Sequence, residues 1–320
     1  MFSKKRGEPD MVKDSNYLKF IDEASELVKS IPRHFSRFSN KIFNNHQHII
    51  LLVLKQKLRT TYRGLIEILK VAETLRLAIG LKRIPHHTTL VKFAKKIGKG
   101  ILHLLFPAKI ASKVAIDYSG FELEAKSYYY RKKFFMFSKR RNFMRTCLLV
   151  DTDKQLILDH VINRKQGNDN TEFVKLLENA DVDYVTADKG YSSKKNRKLV
   201  LYKLCAMPVI PYKKTEGVYR INNGSKKLKF DEKIYHQRSK IETVFSVLKR
   251  RYSSTLRGRT YLSQQKELIL RLIAYNVDRL TTLYKLFILG FQQSFNKFYI
   301  LQNGYNFRKE VIFWICLKNY

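Results

Sequence analysis

The stretch KVAIDYSGF, residues 113–121, decides the fold, because it is a short, apolar, β-prone run that follows a helical region. Two further β-prone runs come after it, NFMRTCLLV (142–150) and QLILDHVIN (155–163), and they flank the turn-forming residues DTDK. Short apolar runs separated by a polar turn are typical of a hairpin. The three runs together therefore predict a three-stranded meander.

Beyond the meander the pattern alternates between helix and strand. A helix-like segment at 169–179 precedes the apolar run YVTAD (184–188), and a basic helical stretch at 192–203 precedes PVIPYK (208–213). This is the order of a ribonuclease H-like α/β fold, in which a mixed sheet is flanked by helices on both faces. We predict that fold for residues 111–290, with one helix from 231 to about 250 and a longer one over 263–289.

The residues before the meander have the periodicity of helices, with Thr60, Thr88 and Thr89 as candidate N-caps. Apolar residues recur at helical spacing in two segments, at Leu65, Ile68, Leu69 and Ala72 and at Leu90, Phe93, Ala94 and Ile97. The sequence thus predicts an all-helical region over 1–110, while the tail at 291–320 is assigned no element and no role.

Lysines occupy the opposite side of the second of these helices, at Lys92, Lys95 and Lys96. They are either the solvated face of a small helical bundle or a face laid against a DNA backbone or groove. Both interpretations stay open. Residues 1–110 are accordingly predicted to serve DNA binding or assembly.

The charge points to a polyanionic partner. The chain has 63 Lys and Arg against 27 Asp and Glu, a formal charge of +36, and such an excess repels itself in a compact state. The charge is spread over the whole chain and no run approaches the ~18 apolar residues of a membrane span, which favours nucleic acid over a membrane.

The remaining composition excludes several classes of protein. Three cysteines without a CxxC pair exclude a disulfide framework and a cysteine zinc site. With no apolar secretion signal, they predict a cytoplasmic protein. Nothing resembles the phosphate loop GxxxxGK[ST], so no nucleotide cofactor is expected.

Two aspartates end apolar runs of the predicted sheet, Asp117 in IDYSGF and Asp188 in ADKGY. Carboxylates at the carboxyl ends of strands lie where α/β sheets build their sites. Taken alone, each is more often an ordinary turn residue.

The predicted helix at 235–249 has a narrow polar stripe. At 100° per residue, Tyr235, Arg238, Glu242 and Lys249 share an arc about 60° wide, while apolar residues fill most of the circumference. Such a helix is largely buried, and its stripe is expected to face a cleft. The alternative is a salt-bridge ladder of Arg238, Glu242 and nearby lysines with no further meaning.

The spacing Tyr235-x2-Arg238-x3-Glu242-x6-Lys249 resembles the signature of DDE transposases of bacterial and archaeal insertion sequences, in the large group of families four and five. The two strand-end aspartates resemble that family's first two acidic positions, and the resemblance spans roughly residues 45–280. Only 54 residues separate Asp188 from Glu242. The chain is therefore similar to the compact type, without the long β-rich insertion of some relatives.

This resemblance implies a chemistry. Asp117, Asp188 and Glu242 would hold two Mg²⁺ ions, for which Mn²⁺ can substitute, with Asp117 as the bridging ligand. The reaction would be cleavage at the transposon end, followed by attack of the freed 3′-hydroxyl on target DNA. Double-stranded DNA, both transposon ends and target, would be the partner, and synapsis of two ends would require a homodimer.

Several cations are expected to bind the DNA. Arg238 and Lys249 would contact phosphates that flank the scissile bond, and Tyr235 would contact the same strand. The segment 126–141 interleaves aromatic residues with Lys and Arg, and is either a strand-binding segment or a basic loop with its aromatics packed beneath. The predicted nucleic-acid-binding set comprises Tyr235, Arg238, Lys249, Lys189, Arg131, Lys132, Lys92 and Lys96.

Two other functions compete with this interpretation. A transposase-derived protein that binds DNA without cutting it would act as a repressor, and a nuclease of the same fold would cleave without joining. The products discriminate between them: joined molecules, cut ends only, or bound and intact DNA.

Overall fold

The computed structural model describes residues 15–38, 41–123, 143–164, 169–212 and 231–301, the last range with side chains as far as residue 287. The chain divides into two compact units, Met1–Arg279 and Leu280–Tyr320. The sheet and the helices before it belong to the first unit.

The region before the sheet is helical, as the periodicity predicts. The side chain of Thr61, not Thr60, caps the third helix by accepting from the backbone NH of Gly64. The predicted caps Thr88 and Thr89 are also wrong, because the fifth helix is preceded by His86 and has no side-chain cap. The helices are α1 (Asn16–Leu27), α2 (Asn45–Lys57), α3 (Tyr62–Val71), α4 (Glu73–Ala78), α5 (His87–Lys96) and α6 (Lys99–His103).

A mixed sheet forms the centre of the first unit. Its strands are β1 (Ile110–Leu123), β2 (Phe143–Asp151), β3 (Ile157–Asn163), β4 (Asp181–Ala187), β5 (Met207–Val209) and β6 (Thr255–Leu256). The order is β3-β2-β1-β4-β5, and β6 pairs with β1. The first three strands are antiparallel, which confirms the meander, whereas β4 and β6 run parallel to β1 and β5 runs parallel to β4.

The helices of the second half are α7 (Asp169–Leu176), α8 (Lys194–Lys198), α9 (Glu232–His236), α10 (Ser239–Tyr252) and α11 (Tyr261–Leu301). The single helix predicted from 231 is interrupted at Gln237–Arg238, where backbone bonds such as Ile241 NH to Arg238 O, 3.0 Å, span three residues. Such a turn is tighter than an α-helix. The last helix extends beyond the predicted end at 289 to Leu301.

Apolar side chains are buried on both faces of the sheet, because successive residues of a strand point to opposite sides. Ala115 and Phe121 of β1 belong to one buried cluster, which includes α10, α11 and the helices before the sheet. Val114 and Ile116 belong to another, which includes α7 and Tyr191. This is the predicted ribonuclease H-like architecture, a mixed sheet flanked by helices and preceded by a helical region.

Candidate active site

Asp117 and Asp188 lie side by side at one point of the sheet. Ile116 of β1 pairs with Ala187 of β4 in a parallel register, so the next residue of each strand is one of these aspartates. Asp188 is exposed just after β4 ends, as predicted, but Asp117 does not end its strand, because β1 continues to Leu123 and holds Asp117 half-buried in its middle. The carboxyl ends of neighbouring parallel strands are where α/β folds place their ligands.

The turn after Asp188 is anchored by buried residues. It is a single 3₁₀ turn, Lys189–Tyr191, in which the NH of Tyr191 donates to the carbonyl of Asp188. Tyr191 is 1% exposed and its hydroxyl lies 3.3 Å from the thiol sulfur of Cys147 on β2. Asn196 donates a further bond of 2.8 Å to the carbonyl of Tyr191. These contacts therefore hold the turn that follows Asp188 in a fixed position.

Arg197 is a residue of this site that sequence analysis missed. Its side chain is 2% exposed, and it donates to the hydroxyl of Ser192 at 3.0 Å and to the carbonyl of Ile210 at 2.8 Å. The guanidinium also stacks on Tyr212, 3.8 Å from the ring centroid. Arg197 thereby ties the turn after β4 to the segment after β5. In the basic run KKNRK nothing distinguishes this cation from its exposed neighbours.

Arg238 joins the third carboxylate to the first. Its Nη1 donates to Oδ2 of Asp117 at 3.1 Å and its Nη2 to Oε1 of Glu242 at 2.7 Å. The Arg238 and Asp117 side chains are 20% and 18% exposed, whereas Glu242 is 56% exposed. Arg238 and Glu242 therefore face the middle of β1, and they form more than a ladder along one helix.

The electrostatics follow from this crowding. Burial raises the pKa of Asp117, and the nearby charges of Asp188 and Glu242 raise it further, although the NH of Tyr118 and the guanidinium of Arg238 act in the opposite sense. Burial alone would lower the pKa of Arg238, but Asp117 and Glu242 more than offset that effect and the pKa is raised. The three carboxylates thus repel one another, and a positive charge stabilises the group.

The two ends of the stripe also contact the site. Tyr235 lies beneath the guanidinium of Arg238, 5.9 Å from the ring centroid to the carbon of the cation. Lys249 donates to the hydroxyl of Ser119 on β1 at 2.7 Å and lies 5.7 Å from the ring centroid of Phe121. One cation is therefore held at the carboxylates and another two residues further along β1.

The other residues predicted to bind DNA have no described contact with the three carboxylates. Lys189 is exposed beside Asp188, and Lys92 and Lys96 are exposed on α5. Arg131 and Lys132 lie outside the described residues. Their roles in DNA binding stay predictions.

The donor set at the sheet suits a divalent metal. Asp117, Asp188 and Glu242 offer hard oxygen ligands. Burial raises the pKa of Asp117 and the charges of the other two carboxylates add to it, and a dication would stabilise the charged carboxylates. In this structure the guanidinium of Arg238 supplies positive charge between two of them. The residues therefore fit a metal site.

A second group could also be considered. Among the described residues, the ligand atoms of His103, Asp159 and His160 lie within 4.8 Å of one another. However, Asp159 is already paired with Lys109, 2.5 Å from its Nζ, and accepts the backbone NH of His160. Burial lowers the pKa of His160 to about 4, with the charges of Lys99 and Lys109 among the contributing causes. Two of its three donors are histidine nitrogens, whereas Mg²⁺ prefers oxygen ligands, so this group suits that ion less well than the three carboxylates do.

Comparison with known proteins defines the class. The family model of the transposase DDE domain matches residues 110–277, more than half of the chain. The chain belongs to this family. A search of curated proteins found no match. Among solved structures, a piggyBac transposase in a synaptic complex with hairpin DNA, determined by cryo-EM, is similar at 11% identity with a TM-score of 0.45. The match covers 86% of this chain and 76% of that one. In the described part of the chain, no helix has the length and apolar character needed to cross a membrane.

Proposed function

We propose that this protein is the DNA transposase of an insertion sequence of families four and five, of the compact type. It cleaves the transposon ends and joins the freed 3′-hydroxyl to target DNA. The observation that supports this most is the arrangement of Asp117, Asp188 and Glu242 around the guanidinium of Arg238, beside the middle of β1. The match to the DDE domain supports the same chemistry.

In this proposal Asp117, Asp188 and Glu242 hold two Mg²⁺ ions, or Mn²⁺ in their place, and Asp117 is the ligand shared between them. When bound, the ions supply an activated oxygen nucleophile and compensate negative charge at phosphorus. Asp117 and the turn at Asp188 are held by the sheet, so these ligands are in place before DNA arrives. Glu242 is more exposed, and α10 positions it.

The chain's own cations orient the DNA. Arg238 exchanges its carboxylate partners for a phosphate beside the scissile bond, and Lys249 binds the phosphate on the other side. Tyr235 and Lys189 contact the same strand, and Lys92, Lys96, Arg131 and Lys132 contact the backbone of the duplex. No nucleotide cofactor takes part.

The active assembly is a homodimer that holds two transposon ends. Synapsis needs two sites with a fixed relation, which a two-fold dimer provides. Light scattering on the protein with paired ends tests this. Joining by a species that stays monomeric would exclude the dimer.

The decisive experiment measures Mg²⁺-dependent cutting and joining on DNA that carries the sequences flanking this gene. Wild type is compared with Glu242→Gln, and with Glu232→Gln as the matched control, since Glu232 is an exposed glutamate on the preceding helix. We expect joined products that Glu242→Gln abolishes while DNA binding survives.

The other outcomes are equally clear. Cut ends without joining would identify a nuclease of the same fold. Tight binding without cutting by the wild type, in Mg²⁺ and in Mn²⁺, would identify a non-catalytic repressor.

A further inference from the structure

A basic pocket lies away from the carboxylates, at the far end of α10. It is formed by the C-terminal end of α2, the turn after α10 and the first part of α11, all within the first unit. Four cationic side chains line it, Lys55, Arg59, Arg257 and Arg271, together with one carboxylate, Glu267.

The carboxylate is already fully used. Oε1 of Glu267 accepts from Arg271 at 2.5 Å, and Oε2 accepts the backbone NH groups of Arg257 and Gly258 at 3.0 and 2.8 Å. Arg271 is 3% exposed and also donates to the carbonyls of Ser253 and Thr255. Glu267 and Arg271 therefore form the wall of the pocket, and their opposite charges cancel.

The other three cations of the pocket have no carboxylate partner in the described part of the chain. Among the described residues, neither Lys55 nor Arg59 nor Arg257 forms an ion pair with a carboxylate. Burial lowers the pKa of Lys55, as do the neighbouring charges of Arg271 and Arg257, against the opposite effect of Glu267. Clustered cations of this kind need a bound anion to relieve their repulsion.

The backbone holds Arg59 at a cost. Its φ is +52°, and the bonds from the NH of Arg59 to Gln56 O and from the NH of Thr60 to Lys55 O form a Schellman end to α2. Glycine is the residue that fits this left-handed position, so an arginine there is strained. Strain of this kind is typically kept at functional sites. Arg59 and Arg257 are both exposed and accessible to a ligand.

The position along α10 suggests which anion binds. Arg238, at the carboxylates, and Tyr252, at the pocket, are the two ends of one helix, which at 1.5 Å per residue separates them by about 20 Å. In a duplex with 3.4 Å per nucleotide, that distance spans about six nucleotides. A DNA strand that has its scissile phosphate at Asp117 and runs along α10 would therefore reach the pocket.

We propose that Lys55, Arg59 and Arg257 form a subsite for one backbone phosphodiester of the substrate DNA, about six nucleotides from the scissile phosphate. The subsite recognises charge without reading bases, and it anchors the duplex at a second point. This inference rests on the proposed function for its substrate, but it concerns binding and can be tested without any cleavage.

The test combines a charge-neutralising variant with neutralised phosphates. Lys55→Gln with Arg257→Gln is compared with wild type for duplex binding by fluorescence anisotropy across a series of salt concentrations. We expect about tenfold weaker binding and a log–log salt slope smaller by about one, as for the loss of one phosphate contact. Lys29→Gln with Lys70→Gln is the matched control, because these exposed lysines are paired with Glu26 and Glu67.

Single methylphosphonates, scanned along the duplex inward from the terminus of the transposon sequence, locate the contact. We expect one position, four to eight nucleotides away (roughly 14–27 Å), to weaken wild-type binding and to have no effect on the double variant. If circular dichroism shows that the double variant is poorly folded, Arg59→Gln replaces it, because this substitution changes only an exposed side chain. We expect Arg59→Gln to weaken DNA binding in the same way. A flat scan in that window, or equal losses in both proteins, would overturn the proposal.

A free anion is distinguished by thermal melting in inorganic phosphate. If phosphate raises the melting temperature of wild type alone while the methylphosphonate scan is flat, the pocket binds small anions and the DNA subsite is wrong. Failure of the proposed function would look different. In that case the scan would be positive although the wild type neither cuts nor joins DNA.

Discussion

Arg238 and Asp117 are 121 positions apart in the chain, yet the guanidinium of one donates a 3.1 Å hydrogen bond to the carboxylate of the other. The same guanidinium binds Glu242. It therefore occupies the region where the proposed chemistry requires divalent cations, and it supplies the positive charge that the carboxylates need in their absence. A metal ion bound as proposed would compete with Arg238 for the same oxygens.

Arg238→Gln tests this competition. The variant should bind Mn²⁺ several-fold more tightly in calorimetric titrations, because no cation has to be displaced from Asp117 and Glu242. The metal-free protein should lose about 1–2 kcal/mol of unfolding free energy, less than for a fully buried pair. DNA cleavage should fall about 10²–10³-fold with the loss of a phosphate contact.

Arg250→Gln serves as the control, since Arg250 is exposed on the same helix. Weaker Mn²⁺ binding by Arg238→Gln would contradict the competition and make Arg238 a support of the metal site.

The raised pKa of Asp117 predicts a pH dependence of stability. A carboxyl group whose pKa is higher in the folded than in the unfolded chain contributes stability that is present below the unfolded pKa and is lost as pH rises through the folded value. Asp117→Asn does not titrate, so in the metal-free protein it should gain stability relative to wild type as the pH rises above about 4. Urea unfolding in chelator at pH 4 and at pH 7 measures the difference. A difference that shrinks with rising pH would show that Arg238 outweighs burial.

The buried Arg197 predicts that the Asp188 turn is sensitive to a conservative change. Lysine lacks the planar guanidinium that stacks on the Tyr212 ring while its Nη2 donates to Ser192 and to the Ile210 carbonyl. Arg197→Lys should therefore lower the unfolding free energy by about 2–3 kcal/mol. It should also reduce the cleavage rate while DNA affinity stays near that of wild type. Lys195→Arg on the same short helix is exposed and should change neither quantity. An unchanged cleavage rate in Arg197→Lys would show that Arg197 stabilises the fold without affecting the candidate active site.

A polar contact joins α2 of the helical region to α10 and α11. Asp278 of α11 accepts from Lys57 of α2 and from the hydroxyl of Tyr252 at the end of α10. Burial raises the pKa of this tyrosine, and Asp278 adds to the effect. Asp278→Asn leaves Lys57 without its charged partner, so it should cost about 1–3 kcal/mol in denaturant unfolding. Tyr252→Phe, which keeps the ion pair, should cost about 1 kcal/mol. Equal costs would mean that the ion pair contributes nothing.

Local sequence patterns predicted the sheet well. The runs at 113–121, 142–150 and 155–163 each overlap most of one strand, because an apolar strand buried on both faces is visible in consecutive residues. Strand β6 was missed, since two residues, Thr255–Leu256, are too few to show a period. The interruption at Gln237–Arg238 of the helix predicted from 231 to about 250 was missed as well, because helix-forming residues lie on both sides of it.

The candidate site was predicted in part. The spacing from Tyr235 to Lys249 predicted one stripe on a single helix. The structure divides that helix at Gln237–Arg238, yet Arg238 and Lys249 still contact the middle of β1. The burial of Arg197 and the pocket at Lys55 were not predictable. Each depends on which distant carbonyls and charges surround a basic residue, and one lysine or arginine in this chain resembles the other 62.

By itself the sequence determined the class of fold and the order of the first four strands along the chain, and the spacing of its motif supplied the resemblance from which three acids are proposed as metal ligands. These are properties of short windows, in which periodicity and spacing are set by backbone geometry. Only the tertiary structure decided that β4 lies beside β1, so that Asp117 and Asp188 become neighbours, and that Arg238 lies between Asp117 and Glu242. Contacts between residues far apart in the chain arise from how helices pack on the sheet to bury apolar surface, and no local pattern of residues specifies them.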